Sequence, residues 1–260
     1  LKNTPKKKLP KILIPVHFGG HSCDMKSIRK LSKKYKFKII EDASHALGAT
    51  YLDSITGDCK YSDICVFSLH PVKIITTGEG GIVTTNNKEI YHKVKALRSH
   101  GIYRNLPEKK NELKNKPWMF FQKELGLNYR LTDIQSSLGI SQLKKLKKFL
   151  KKRKFIAKIY DNSFKDLPLT LPRIKKDIFS TYHLYLVLIK KNKKNINRDK
   201  FYKILLKKGI KTNIHYIPVY HHPFYKKLGY NKEFFKNNEY YFKNTISLPI
   251  FPGLKLKELQ

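Results

Sequence analysis

Short apolar runs alternate with stretches of helical periodicity along the first two thirds of the chain. Ile12-Leu-Ile-Pro-Val-His17 reads as a short buried strand. Met25, Ile28, Leu31 and Tyr35 recur at the spacing of one helix face over 24–36, with Asp24 placed to cap the N-terminus. Phe37 to Glu41 is a second strand ending at Asp42, and 62–68 and 81–85 are further strands. Residues 88–100 and 132–160 carry helical periodicity, the second as one long basic helix. Strands alternating with helices predict an α/β fold, an αβα layered domain around a largely parallel sheet. A ligand of such a sheet lies off the carboxyl ends of its strands, where Asp42 and Ser68 fall. Residues 104–123 are polar and read as a surface loop. Beyond the long helix the pattern changes to a strand over 182–189, a helix over 199–208 and a strand over 212–216, a smaller α+β lobe. The expected division is 1–155 for the large domain and 156–260 for the small one.

Chemistry enters with two residues at strand ends. Lys73 follows the strand that closes at Ser68, and Asp42 closes the strand before it. A lysine amine that condenses with an aldehyde, opposite a carboxylate that keeps a pyridine nitrogen protonated, is what pyridoxal phosphate requires. Each residue has a plainer reading alone: a solvated lysine, and a cap at the end of a strand. Downstream, Thr76-Thr77-Gly78-Glu79-Gly80-Gly81 allows sharp turns and close approach of a ligand before an apolar strand resumes.

Composition changes the picture little. The formal charge of +36 raises the question of nucleic acid or an anionic surface, but the lysines run from end to end and no nucleic-acid motif accompanies them. With the abundance of Asn, Ile, Tyr and Phe, the charge reads as compositional drift that favours solubility and attracts anions such as a nucleotide diphosphate. No apolar run approaches the length of a membrane span. The basic opening segment lacks the apolar core of a secretory signal. Cys23, Cys59 and Cys65 have no C-x-x-C spacing and suit a reducing, cytoplasmic setting. No metal site is expected, since His215, His221 and His222 have no carboxylate or thiol at ligand spacing.

Five ordered blocks then carry a resemblance: 41–49 (Glu41-Asp42-Ala-Ser-His45), 67–73 (Phe67-Ser68 to Lys73), 77–81, Arg98-Ser99-His100-Gly101 and Asn128-Tyr129-Arg130-Leu131. The chain resembles the DegT/StrS-type sugar aminotransferases from about Ile12 to Gly253. His45, the Arg98 block and His215-Tyr216-Ile-Pro218 are similar to the branch that serves pseudaminic acid synthesis.

The resemblance implies a fold-type-I aminotransferase with pyridoxal 5′-phosphate as cofactor. It would move an amino group from an amino acid, glutamate, to C4 of a UDP-linked 4-keto-6-deoxy sugar. The competing readings are an aminotransferase for another nucleotide keto-sugar and a truncated, non-catalytic basic binding protein. Carried over residue by residue, Lys73 is the lysine that holds the cofactor and shuttles protons, and Asp42 faces the ring nitrogen. His45 lies at the ring, Ser68 donates to the phosphate, and Asn128 does so from the second subunit of a homodimer. Ser68, Asn128, Asn213, Ile214, His215 and Tyr216 would line the substrate pocket. Plainer readings stand beside these: a packed histidine, a turn serine, a helix-capping asparagine and an ordinary strand. Family members also carry a further segment upstream of Ile12. The expectation is therefore an N-terminally incomplete large domain, with an exposed sheet edge and apolar face.

Overall fold

The amphipathic α1 (Met25–Tyr35) and the apolar runs on either side of it form the start of the molecule, a computed structural model that describes residues 1–103, 110–116, 118–191, 195–230 and 232–259. β1 (Ile12–Leu13), β2 (Lys38–Asp42), β5 (Ile64–Ser68) and β6 (Gly81–Thr84) make one sheet in the order β1-β2-β5-β6. The first three run parallel and β6 is antiparallel to β5. Between β2 and β5, β3 (Thr50–Tyr51) and β4 (Ser54–Ile55) form a small hairpin. Asp24 caps α1, its carboxylate accepting the Ser27 amide at 3.2 Å, as expected.

The pairing register decides what each sheet face carries. Leu13, Ile39, Glu41, Cys65 and Phe67 share the face packed under α1 and the loop after β2. Ile40, Asp42, Ile64, Val66 and Val83 share the other face. The expected buried strand over 12–17 is corrected here. Only Ile12–Leu13 pairs as a strand, with one further bridge from Val16 to Asp42. Ile12, Ile14 and Val16 are 51%, 56% and 46% exposed, while Pro15 and His17 are buried. β1 is an edge strand with one packed face, so the apolar run is half open to solvent, as expected of an uncovered sheet edge.

α2 (Lys88–Leu97) follows β6, capped by Asn87. β7 (Ile102–Tyr103) pairs with β8 (Phe121–Gln122), and α3 (Lys110–Asn115) lies between them. The expected loop over 104–123 thus contains short regular elements; residues 104–109 and 117 lie outside the described residues. The single helix expected over 132–160 is two. α4 (Asp133–Leu143) starts from a capping box of Thr132 and Gln135, and α5 (Leu146–Phe164) begins after a break at Lys144 and Lys145.

α5 joins two cores. Leu150, near its start, packs with Leu69, Ile74 and Ile75, and Ile156, Ala157 and Tyr160 pack with Tyr185, Val187 and Ile246. The second core belongs to an antiparallel sheet of β9 (Leu169–Thr170), β11 (Tyr185–Ile189) and β12 (Thr245–Leu248), while β10 (Ile178–Phe179) crosses back to pair with β3. α6 (Arg198–Lys207), α7 (Pro223–Lys227) and α8 (Lys236–Asn244) complete the small lobe. The strand expected over 212–216 is not formed. Asn213 makes one bridge to Ser247 and the chain then leaves the sheet toward the site. Among the described residues no helix is long and apolar enough to cross a membrane, and no cluster of His, Cys, Asp or Glu is grouped to hold a metal.

Candidate active site

β2 and β5 run parallel and deliver Asp42 and Ser68 to the same end of the sheet. After Ser68 the chain turns back: the Lys73 amide donates to His70 O at 2.9 Å, and the Thr77 amide returns to Leu69 O at 3.0 Å. Ile74 and Ile75 anchor this turn in the core, which leaves Lys73 partly buried beside Asp42. Burial pushes the Lys73 pKa below the usual lysine value, and the Asp42 carboxylate opposes that shift. The Ser44 amide donates to Asp42 Oδ1 at 3.0 Å and fixes that carboxylate at the strand end.

His45 lies one turn beyond Asp42, buried, and accepts the Gly19 amide on Nδ1 at 3.3 Å. Its ring packs on His183 with centroids 4.2 Å apart. Burial and the neighbouring Lys73 charge push His45 down to about 4, so the imidazole is neutral near neutral pH. His183 is pushed down to about 2 by burial and then by His45, Arg153 and Lys73. His215 is lowered by burial and by Lys73, and holds Ser247 Oγ at 2.7 Å through Nδ1. Tyr216 is raised by burial and by Asp42, and its ring stands 6.2 Å from Phe18, which also faces His45 at 5.8 Å.

The fold therefore brings Lys73, Asp42, His45, His215 and Tyr216 into one electrostatic neighbourhood from three separate parts of the chain. Ser68 stands at the β5 end, its hydroxyl accepting the His70 amide at 3.4 Å. Asn213 is exposed, its side chain turned onto the Ile214 amide at 2.7 Å, and Ile214 is partly buried. Asn128 is not gathered into the group. It is exposed, on a segment bridged to Ser99 at the end of α2.

His183 and Phe18 were not expected. The run Tyr182-His-Leu-Tyr-Leu reads as the start of a strand, and no local signal marks its histidine as a neighbour of His45. A hollow of about 1150 Å³ lies elsewhere, lined by Ile82, Val83, Tyr91, Val94, Leu97 and Leu127. It contains neither Lys73 nor Asp42. Convergent polar chemistry, not size, marks the site.

The sequence matches the DegT/DnrJ/EryC1/StrS aminotransferase family over residues 3–260. The chain belongs to that family. An uncharacterised protein of Methanocaldococcus jannaschii is 46% identical over 246 residues, which is 94% of this chain and 63% of the relative. A UDP-4-amino-4,6-dideoxy-N-acetyl-beta-L-altrosamine transaminase of Campylobacter jejuni is 41% identical, over 94% of this chain and 61% of its own length. The solved structure of Helicobacter pylori PseC, described as an aminotransferase involved in the biosynthesis of pseudoaminic acid, superposes with a TM-score of 0.86 at 34% identity. That superposition covers 98% of this chain and 66% of PseC. The chain spans 61–63% of the length of these curated relatives. Its fold is that of the fold-type-I aminotransferases of this family, whose cofactor is pyridoxal phosphate.

The residues present fit that cofactor. Lys73 has a partly buried amine of lowered pKa, Asp42 a fixed carboxylate beside it, and His45 a flat neutral ring. His183 Nδ1 is a buried polar atom without a hydrogen-bond partner, so this part of the site has polar capacity its own side chains do not use.

Proposed function

We propose that the protein is a pyridoxal phosphate-dependent aminotransferase that moves an amino group from an amino acid, glutamate, to C4 of a UDP-linked 4-keto-6-deoxy sugar in pseudaminic acid-type surface sugar synthesis. The convergence of Lys73, Asp42 and His45 carries this reading. When bound, the cofactor supplies an electron sink for the carbanion formed at the amino-bearing carbon. Lys73 would hold the cofactor through its aldehyde carbon and, when its amine is free, would move the proton at the substrate carbon. Its lowered pKa favours both duties by raising the share of free amine. Asp42 would hold the proton on the pyridine nitrogen. His45 would lie along the ring, and Ser68 would donate its hydroxyl to the phosphate.

On the substrate side, Asn213, Ile214, His215 and Tyr216 lie on the segment that leaves β12 for the site, with Tyr216 and Phe18 offering aromatic faces to the sugar. The choice of sugar follows the names of the Campylobacter and Helicobacter relatives. In this reading Asn128, exposed here, belongs to the second site of a homodimer, where it donates to the partner's phosphate. The divisions 1–155 and 156–260 serve as the cofactor lobe and the lobe that closes over the substrate. The three cysteines are free, which suits an enzyme of the cytoplasm, where nucleotide sugars are made.

The test is to supply cofactor, glutamate and the UDP-linked 4-keto sugar and to follow formation of the 4-amino sugar by mass spectrometry. The expected result is a product lighter than its substrate by one oxygen and heavier by one NH and two hydrogens, abolished in Lys73→Ala. Amination only at another position, or of another keto-sugar, would replace the substrate assignment. Product from Lys73→Ala would contradict the site.

A further inference from the structure

A buried polar group on the closed face of the sheet takes no part in the chemistry above. His17 is fully buried at the end of the β1 segment. Its Nε2 lies 2.7 Å from Glu41 Oε2, and Ser62 donates its hydroxyl to the other oxygen of that carboxylate. The Cys23 amide donates to His17 Nδ1 at 3.1 Å. With Nδ1 accepting, the ring proton sits on Nε2 and donates to Glu41. Burial opposes a second proton on this ring, whereas Cys23 and Glu41 favour one and raise the His17 pKa to about 9, but the Cys23 amide hydrogen stands where that proton would go. A carboxylate held away from water is costly unless its oxygens are satisfied, and both are satisfied here.

The His17 ring closes the chain on itself between 17 and 23. Within that loop Gly19 has φ 66 and gives its amide to His45 Nδ1. The small lobe grips the same loop from the other side. The Thr181 amide donates to Gly20 O at 3.2 Å, and Thr181 Oγ1 donates to His45 O at 2.6 Å. A Cβ on Gly20 would meet Thr181 Oγ1 at 2.0 Å, so a larger residue has no room there. His45 is thus held by a backbone amide whose position depends on a loop fastened through His17.

We propose that His17 is a positioning residue: by tying the 17–23 loop to Glu41 and Cys23 it keeps the Gly19 amide on His45 Nδ1, and so holds His45 as the tautomer with its proton on Nε2. The proposal rests on the reading of His45 as the residue beside the cofactor. An imidazole fixed in this form presents a donor, suited to an anionic oxygen of the ligand. A ring free to exchange tautomers would present a lone pair for part of the time.

The test uses the whole 260-residue chain with its histidine ring nitrogens isotopically labelled. Long-range proton–nitrogen spectra report which nitrogen carries the proton, and the spectrum of His45→Gln assigns the His45 signals. Wild-type protein is expected to show His45 unprotonated at Nδ1. In His17→Gln the Nδ1–H form should rise several-fold in protein that circular dichroism shows to be folded. Ser62→Ala, which removes one hydroxyl from the network, should move it less and in the same direction. A merely structural role would lower the thermal midpoint without moving the tautomer of the folded form. The proposal is overturned if wild-type His45 carries its proton on Nδ1, or if the tautomer is unmoved in folded His17→Gln. Should His17→Gln not fold, Ser62→Ala decides, and an unmoved tautomer there overturns it equally. Pyridoxal phosphate titrated into the same samples and followed by absorbance separates the two readings. Protein with the expected tautomer and no cofactor binding contradicts the functional reading and leaves this one standing.

Discussion

Asp42 is fixed at the end of β2 by the Ser44 amide, close enough to Lys73 for its carboxylate to favour the protonated amine. In Asp42→Asn the amide oxygen can still accept from Ser44, so the fold should survive. A neutral group does not hold a proton on the pyridine nitrogen, and kcat should fall by about 3 kcal/mol in barrier, roughly a hundredfold. Steady-state kinetics check this, and near-normal turnover would show that Asp42 does not face the ring. His45 gives a second expectation, on stability. Its pKa is lowered from 6.5 to about 4 by burial and by Lys73. The unfolded chain therefore takes up the proton at higher pH than the folded one, and stability is full above about 6.5 and falls as pH drops toward 4. From pH 6.5 to 5 the loss from this residue should be about 1.5 kcal/mol. Urea unfolding at the two pH values, with His45→Gln as the variant that takes no proton, should show the slope flattened by about that amount. An equal slope in both proteins would contradict the buried, neutral histidine.

At the scale of elements, Arg153 of α5 ties that helix to the sheet of β9, β11 and β12. It is 4% exposed, and its Nη1 donates to Ile250 O at 2.8 Å, Tyr182 O at 3.1 Å and His183 O at 3.2 Å. It thereby holds α5 to the chain entering β11 and leaving β12, and it fixes the backbone of the histidine whose ring packs against His45. Arg153→Met would strip this donor from three carbonyls while relieving the burial of a charge. The net expectation is a loss of about 2 kcal/mol. Thermal or urea unfolding reads it directly, and a variant as stable as the parent would show that the relief dominates. α1, α2, β2, β5, β6 and α6 were legible in the sequence because caps and periodicity are local signals, as Asp24 shows. The break between α4 and α5 was not, since Lys144 and Lys145 are good helix formers and no Gly or Pro marks the turn. β12 and the loss of a strand at 212–216 depend on pairing across the small lobe, which no local window contains.

For the whole molecule, the site was legible where chemistry is written in consecutive blocks. Asp42, His45 and Lys73 stand in two such blocks, and parallel pairing of β2 with β5 brings the blocks together. His17, Phe18 and His183 were not legible as neighbours of Glu41 or His45, because each reads locally as part of a strand or turn and gains its place only through contacts distant in sequence. The formal charge of +36 contributed no specific site, while the open apolar face at Ile12, Ile14 and Val16 follows from an edge strand packed on one side. The account stands on Lys73 as the residue that carries the cofactor. The direct measurement is to load the protein with pyridoxal phosphate, reduce it with borohydride, digest it and locate the pyridoxyl group by peptide mass spectrometry. The account predicts a single modified peptide bearing the label on Lys73, lost in Lys73→Ala. Label on a different lysine of the folded protein, or spread evenly over the surface lysines, would contradict it.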